Sequence, residues 1–197
     1  MARDYQARKY IADNAAKYDD SRLTKVLVKA FDLICSNEEP NGCMSSSVAL
    51  HVILCSLGYE PKLCYGRCVT PSGNEIYHAW LELNGEALDL AIYGNSHFSP
   101  FWNDTQLLPV IFENYNDTAV RYGDHVFDED WKNCMISQAV NMGSIANYIA
   151  KAPHAQHPSG NGIWKLIFSI LDETYTRSKQ ESLQRFVSKE AFQCQEQ

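Results

Sequence analysis

The chain has 197 residues, of which 45% are hydrophobic, and it carries a formal net charge of −7. This length fits one domain with a real hydrophobic core, and an acidic chain without basic clusters argues against nucleic acids and anionic membranes as partners. No apolar run reaches the roughly 18 residues of a membrane span, and the first residues, MARDYQ, hold no apolar signal segment, so we expect a cytoplasmic protein.

Two helices are predicted before residue 40. Residues 3–19 favour helix, and Asp20 and Ser21 can cap a second helix. That second helix carries an apolar stripe at helical spacing, formed by Leu23, Val26, Leu27, Ala30, Phe31 and Ile34. A polar loop over residues 37–42 follows, and it contains Pro40.

Cys43 stands at the predicted start of a third helix. The segment NGCMSSS leads into apolar positions at helical spacing, and Gly58 is a stop signal. Because the positive end of a helix dipole favours a thiolate, we expect the pKa of Cys43 to be depressed. The other six cysteines, including the pair Cys64 and Cys68, lack the spacing of a zinc site. They are predicted to be reduced thiols in a reducing compartment, and no metal or cofactor is expected.

An antiparallel hairpin is predicted after this helix. Residues 62–69, 75–83 and 86–92 are rich in strand formers, and Asn84-Gly85 is a strong signal for a two-residue turn. The turn fixes the pairs Leu83 with Glu86, Leu81 with Leu88, Trp80 with Asp89 and Ala79 with Leu90. One face of the hairpin is then apolar, through Leu81, Leu83, Leu88 and Leu90.

His78 and Asp89 fall on the opposite face of this hairpin, together with Trp80. They become diagonal neighbours, roughly 7–8 Å apart at the backbone, and the carboxylate can accept the imidazole N–H and fix its tautomer. A register slip of one residue would break both the apolar face and the His–Asp pair. The order of residues therefore predicts a thiol nucleophile, its base and the group that orients the base: Cys43, His78 and Asp89.

The stretch around these residues resembles the core of the transglutaminase-like superfamily of papain-fold enzymes. The resemblance is carried by G-C-x-x-x-S, L-G-Y-x-P-x-L and H-A-W-L-E-L-x-G-x-x-L-D-L. Its spacing is nearest to a bacterial branch that includes the leader peptidases of lasso-peptide maturation. The resemblance implies an α+β fold, with N-terminal helices followed by an antiparallel sheet, and puts Cys43, His78 and Asp89 at the family's Cys, His and Asp positions.

The triad predicts an enzyme that acts on an amide or thioester carbonyl through an acyl-enzyme. If water resolves the acyl-enzyme, the protein is a cysteine protease, an amidase or a glutamine deamidase with a protein or peptide substrate. If an amine resolves it, the protein is an acyltransferase of the transglutaminase type. Hydrolysis is favoured because the short bacterial members that the chain resembles are hydrolytic. The alternative from another class is a non-catalytic binding module on the same fold.

Four further residues are assigned around the triad. The backbone N–H of Cys43 and a side chain from the preceding loop, Asn37 or Asn41, are candidates for an oxyanion hole. Trp80 would flank the imidazole and wall the cleft that binds the substrate. His51 is predicted to be a packed helix histidine rather than a neighbour of the site.

The remaining chain is predicted to be mixed in structure. Residues 91–103 are expected to form a loop beside the site, and residues 105–112 and 118–122 are possible strands. Helices are predicted over residues 128–151, 163–175 and 178–192, with a loop over residues 152–162. We expect a single domain over residues 1–197, with a core over residues 20–125 and a helical C-terminal extension over residues 126–197. No oligomeric state is indicated.

Overall fold

A computed structural model describes residues 2–35, 42–98, 107–123, 129–143, 162–173 and 176–192. The helices are α1 (Ala2–Ala15), α2 (Ser21–Cys35), α3 (Cys43–Leu57), α4 (Ala91–Phe98), α5 (Glu129–Gly143), α6 (Gly162–Leu171), α7 (Arg177–Leu183) and α8 (Lys189–Phe192). The strands are β1 (Lys62–Val69), β2 (Glu75–Leu83), β3 (Glu86–Asp89), β4 (Val110–Asn114) and β5 (Arg121–Tyr122). The α+β class and the order of N-terminal helices, antiparallel sheet and C-terminal helices are as predicted.

The five strands form one antiparallel sheet in the order β4-β3-β2-β1-β5. In a flat sheet, β5 and β3 would lie three strand spacings apart, about 14 Å. The Tyr122 hydroxyl on β5 nevertheless donates a hydrogen bond to Oδ2 of Asp89 on β3, at 2.8 Å. The sheet is therefore curled, and the curl brings its two sides together around the end of β3.

The hairpin between β2 and β3 has the predicted register. Leu83 pairs with Glu86 and Leu81 with Leu88, and Asn84 and Gly85 both have positive φ, 54° and 79°. That combination fits a type I′ turn, whose twist matches that of the strands. The ladder between these strands runs no further than Leu81 and Leu88. The predicted pairs of Trp80 with Asp89 and of Ala79 with Leu90 do not form, because the chain turns into α4 after β3.

The two faces of the hairpin line two different cores. The main core lies between the sheet and the helices, and α3 runs through it with every residue from Met44 to Leu54 buried except Ser45. A smaller core covers the other face of the sheet and includes Cys68, Trp80, Ala87, Ile92, Leu107, Val110 and Val120. The predicted leucine face belongs to the main core, since Leu81, Leu83, Leu88 and Leu90 are all at most 2% exposed.

Several predicted elements after the hairpin need correction. The strand predicted over residues 86–92 ends at Asp89, and α4 replaces the first part of the loop predicted over residues 91–103. The strand predicted over residues 105–112 is shifted to Val110–Asn114, after Pro109, which lacks the N–H that a strand needs. The helix predicted over residues 163–175 ends at Leu171, and that predicted over residues 178–192 is divided into two short helices by a 3₁₀ turn at Gln184–Phe186.

The C-terminal helices complete the main core. Helix α6 packs against α2, α3 and α5, and its buried residues include Ile163, Trp164, Ile167, Phe168 and Ile170. Residues 144–161, which hold the end of the predicted helix over residues 128–151 and most of the predicted loop over residues 152–162, lie outside the described residues. Among the helices that the structure describes, none combines the length and the apolar character that a bilayer span requires.

Leu88 provides a test of the two-faced hairpin. Its side chain is 1% exposed in the main core, next along the chain to Asp89 on the other face. Leu88→Ala should lower the free energy of unfolding by roughly 2–5 kcal/mol, because it leaves a cavity. Leu88→Met, which keeps the volume, should cost less than about 1.5 kcal/mol. Urea denaturation of the two variants measures this, and a loss below about 1 kcal/mol for Leu88→Ala would place Leu88 outside the core.

Candidate active site

Cys43 is the first residue of α3 and therefore lies at the N-terminus of this helix. Gly42 is the N-cap residue and provides no side-chain cap. The Ser46 N–H donates to the Gly42 carbonyl at 2.9 Å, while the first N–H groups of any helix have no partner within the helix. The partly buried Cys43 thiol therefore lies at the positive end of the α3 dipole, which stabilises a thiolate.

Two side chains one helical turn apart fasten α3 to β2. The Ser47 hydroxyl donates to the Ala79 carbonyl at 3.0 Å, and the Cys43 thiol interacts with the backbone N–H of the same residue. Positions i and i+4 lie on one face of a helix, so both groups reach Ala79 together. This fixes the start of α3 against the strand, one residue from His78.

His78 lies on β2 with its side chain 1% exposed. Its Nε2 is 2.7 Å from Oδ2 of Asp89, and because an ionised carboxylate can only accept, Nε2 carries a proton. The second ring nitrogen, Nδ1, is buried and has no hydrogen-bond partner among the residues that the structure describes. With Nε2 bound to Asp89, Nδ1 is the ring nitrogen that remains available to the Cys43 thiol, and the two side chains are close enough for each to shift the pKa of the other.

Asp89 is a buried carboxylate with a donor for each of its oxygens. Its side chain has no exposed area. Oδ1 accepts the Ile92 N–H at 3.0 Å, in the first turn of α4. Oδ2 accepts from His78 and from the Tyr122 hydroxyl, at 2.7 and 2.8 Å. These three donors satisfy both oxygens of the buried carboxylate and hold it in place beside His78.

The electrostatics of the site favour a thiolate and an imidazolium. Burial acts to raise the pKa of Cys43, but the charge on His78, a hydrogen bond from that ring and the Ala79 N–H bring this pKa below its ordinary value. Burial acts to lower the pKa of His78, yet the charges of Asp89 and Cys43 raise it overall. A cysteine–histidine pair shifted in these two directions transfers a proton readily from sulfur to nitrogen.

Three other thiols have the opposite shift. Burial raises the pKa of Cys35 to about 12 and that of Cys55 to about 11. Burial also raises the pKa of Cys68, and the negative charges of Asp89 and Cys43 raise it further. These three are structural thiols at neutral pH, so the lowered pKa distinguishes Cys43 from them.

Trp80 is buried on the same face of the sheet as His78 and does not line an exposed surface. The side chain belongs to the smaller core, and the residue is 4% exposed. Its indole packs on Tyr122 with the ring centroids 4.8 Å apart. Gly66, paired with His78, makes room for it, since a Cβ there would come within 2.9 Å of the indole. This buried position agrees with a role in holding the ring of Tyr122. It is no evidence that Trp80 contacts a substrate.

The other assigned residues divide into two groups. Asn37 and Asn41, the predicted oxyanion side chains, lie outside the described residues. His51 is 1% exposed and packs against Phe192 with the ring centroids 4.9 Å apart. Burial lowers the pKa of His51 to about 4, so it is a neutral, packed helix histidine as predicted.

Tyr122 is not among the site residues that the sequence predicts. The residue lies 33 positions after Asp89, on a two-residue strand, and reaches the carboxylate because the sheet is curled. No motif or spacing in the sequence joins these two positions. The order of strands in the sheet is the information that was missing.

Comparisons with known proteins agree with this architecture. The family model described as "Transglutaminase-like superfamily" matches residues 2–103, slightly more than half of the chain. The matched region contains Cys43, His78 and Asp89, and it ends before Tyr122. No curated protein and no solved structure matches the chain. The model covers α1 to α4 and the first three strands, and on that match the chain belongs to the transglutaminase-like superfamily, whose members are generally cysteine enzymes.

Proposed function

We propose that this protein is a thiol enzyme with a Cys43-His78-Asp89 triad that hydrolyses an amide bond in a protein or peptide. The observation that carries the proposal is the hydrogen bond between Nε2 of His78 and Asp89, which leaves Nδ1 for a thiol of lowered pKa at a helix N-terminus. Cys43 has the lowered pKa that a thiol nucleophile requires, and Asp89 holds His78 in the tautomer that a base requires. A non-catalytic module would have no need of this arrangement in a buried site.

The first half of the proposed reaction forms the acyl-enzyme. The Cys43 thiol gives its proton to Nδ1 of His78, and the thiolate attacks the carbonyl carbon of the amide. A tetrahedral oxyanion forms, and a backbone N–H at the start of α3, which has no partner within the helix, can stabilise it. When the C–N bond breaks, the imidazolium of His78 donates its Nδ1 proton to the leaving nitrogen. An amine or ammonia departs, and the acyl group remains on the Cys43 sulfur as a thioester.

The second half releases the product. Neutral His78 takes a proton from water, and the hydroxide attacks the thioester carbonyl. The C–S bond then breaks, the carboxylic acid leaves, and the thiol of Cys43 is restored. Asp89 remains ionised throughout, orienting His78 and stabilising the imidazolium. With an amine in place of water, the same steps would give a new amide, so analysis of the products distinguishes hydrolysis from acyl transfer.

Alkylation tests whether Cys43 is the activated thiol. At about pH 6, iodoacetamide should modify Cys43 first, because its pKa is lowered while burial raises the pKa values of Cys35, Cys55 and Cys68. The measurement is peptide mapping by mass spectrometry over time. Cys134 is the internal control, since it is exposed but lies in the middle of α5. Modification of Cys134 ahead of Cys43 would contradict the assignment.

The matched control for this experiment is His78→Gln, which removes the imidazolium. It should slow the modification of Cys43 at about pH 6 at least tenfold, because a thiolate loses the positive charge that stabilises it. The modification of Cys134 should remain unchanged. Equal rates for Cys43 in the two proteins would show that His78 does not act on the thiol.

Asp89→Asn separates the chemistry from the fold. An amide cannot accept from Ile92, His78 and Tyr122 in the geometry of the carboxylate, and its NH₂ group would drive His78 into the tautomer with the proton on Nδ1. We expect turnover to fall by orders of magnitude, as in the serine triad, where the corresponding change costs about 10⁴. The stability cost should be about 1–3 kcal/mol.

The assays are ammonia release from a glutamine peptide and cleavage of a peptide library, each with a thermal melt. Asp13→Asn is the matched control, because Asp13 forms an exposed ion pair with Lys9, and such a pair contributes about 0–1 kcal/mol. It should change neither turnover nor stability appreciably. An Asp89→Asn protein that is folded and as active as the parent would exclude the triad mechanism.

A further inference from the structure

Tyr122 is outside the Cys-His-Asp set, yet its hydroxyl is bound to the same carboxylate oxygen as His78. The hydroxyl donates to Oδ2 of Asp89 at 2.8 Å, and Nε2 of His78 donates to that oxygen at 2.7 Å. The other oxygen, Oδ1, is taken by the Ile92 N–H. Tyr122 and His78 therefore share the negative charge of one buried atom.

We propose that Tyr122 is a positioning residue that acts through Asp89: its hydroxyl screens part of the carboxylate charge and so sets the pH range in which the Cys43–His78 pair is ionised. The inference rests on the proposed thiol chemistry and adds to it a residue beyond the matched part of the family model. Tyr122 touches neither the thiol nor any bond that would break in the reaction.

The direction of this effect follows from the charges. A hydrogen bond to a carboxylate stabilises its negative charge and weakens the field that it exerts on neighbours. Burial lowers the pKa of His78 and raises that of Cys43, while the charge of Asp89 acts to raise the pKa of both groups. Removal of the Tyr122 hydroxyl would strengthen the field of the Asp89 carboxylate. The pKa values of His78 and of Cys43 would then both rise. Burial and the Asp89 charge raise the pKa of Tyr122 well above its ordinary value, so it remains a donor.

The surroundings of Tyr122 hold the ring in place. Its ring packs on Trp80, and Tyr115 makes an edge contact with it at 6.0 Å between centroids. The Trp80 indole N–H donates to the Tyr115 hydroxyl, and that hydroxyl donates to Glu82, both at 3.0 Å. The titratable groups that act on this region are Cys43 from α3, Cys64 and Cys68 from β1, His78 and Glu82 from β2, Asp89 from β3 and Glu113 from β4.

Tyr122→Phe tests the inference, because it removes the hydroxyl and keeps the ring. The measurement is the pH dependence of Cys43 alkylation by iodoacetamide. The acid limb of this profile should move to higher pH by about half a unit, so that alkylation on the limb is about threefold slower. Tyr115→Phe is the matched control. It removes a hydroxyl from the same aromatic cluster, but this hydroxyl donates to Glu82 and not to Asp89. It should leave the profile unchanged.

A double-mutant cycle shows whether Tyr122 acts through the carboxylate. In the Asp89→Asn background there is no charge to screen, so Tyr122→Phe should cause no further shift. A shift of equal size in both backgrounds would overturn the inference and indicate a purely structural role. An unshifted profile in the single variant Tyr122→Phe would overturn the inference as well. If alkylation of Cys43 in the parent protein showed the pH dependence of an ordinary thiol, the proposed function itself would be overturned.

A second replacement covers the case in which Tyr122→Phe does not fold. 3-Fluorotyrosine at position 122 keeps the ring and has a more acidic hydroxyl, which is a stronger donor to Asp89. The acid limb should then move to lower pH, opposite to the effect of Tyr122→Phe. An unchanged limb with 3-fluorotyrosine would overturn the inference, whatever the behaviour of the phenylalanine variant.

Discussion

The carboxylate of Asp89 is the group on which the candidate site depends. A buried charge persists only when its lone pairs are bound, and here three donors meet it: the Ile92 N–H, the imidazole of His78 and the hydroxyl of Tyr122. The donors come from the first turn of α4, from β2 and from β5. They can converge only when α4 has formed and the sheet has curled, so the site and the fold are completed together.

The hairpin connects this carboxylate to the stability of the molecule. Side chains alternate along a strand, so the register that buries Leu81 and Leu88 in the main core also directs His78 and Asp89 to the other side. Helix α3 then brings the thiol to this side from its own end, where Ser47 fastens it to the strand. The apolar face of the hairpin therefore fixes the position of the polar side chains that form the candidate site.

The sequence predicted the parts of this arrangement that have local causes. The Asn84-Gly85 turn determines the register of the hairpin, and the small polar residues after Gly42 indicate a helix start at Cys43. The parts that depend on packing were missed. Gly94, Asn95 and Pro100 predict a loop over residues 91–103, whereas the chain forms α4 there and the Asp89 side chain binds the first turn of that helix. Tyr122 was missed because a contact across a curled sheet has no trace in sequence spacing.

The most direct measurement of the central claim is a titration of the Cys43 thiolate itself. The ultraviolet absorbance of a thiolate, taken as the difference between the parent protein and Cys43→Ala, gives the ionised fraction at each pH without a substrate or a reagent. We expect the difference signal to appear at a lower pH than that of an ordinary thiol, whose pKa is about 8.5, because the pKa of Cys43 is lowered by His78. A signal that first appears at about pH 8.5 or above would show that neither His78 nor α3 activates Cys43, and it would contradict the account.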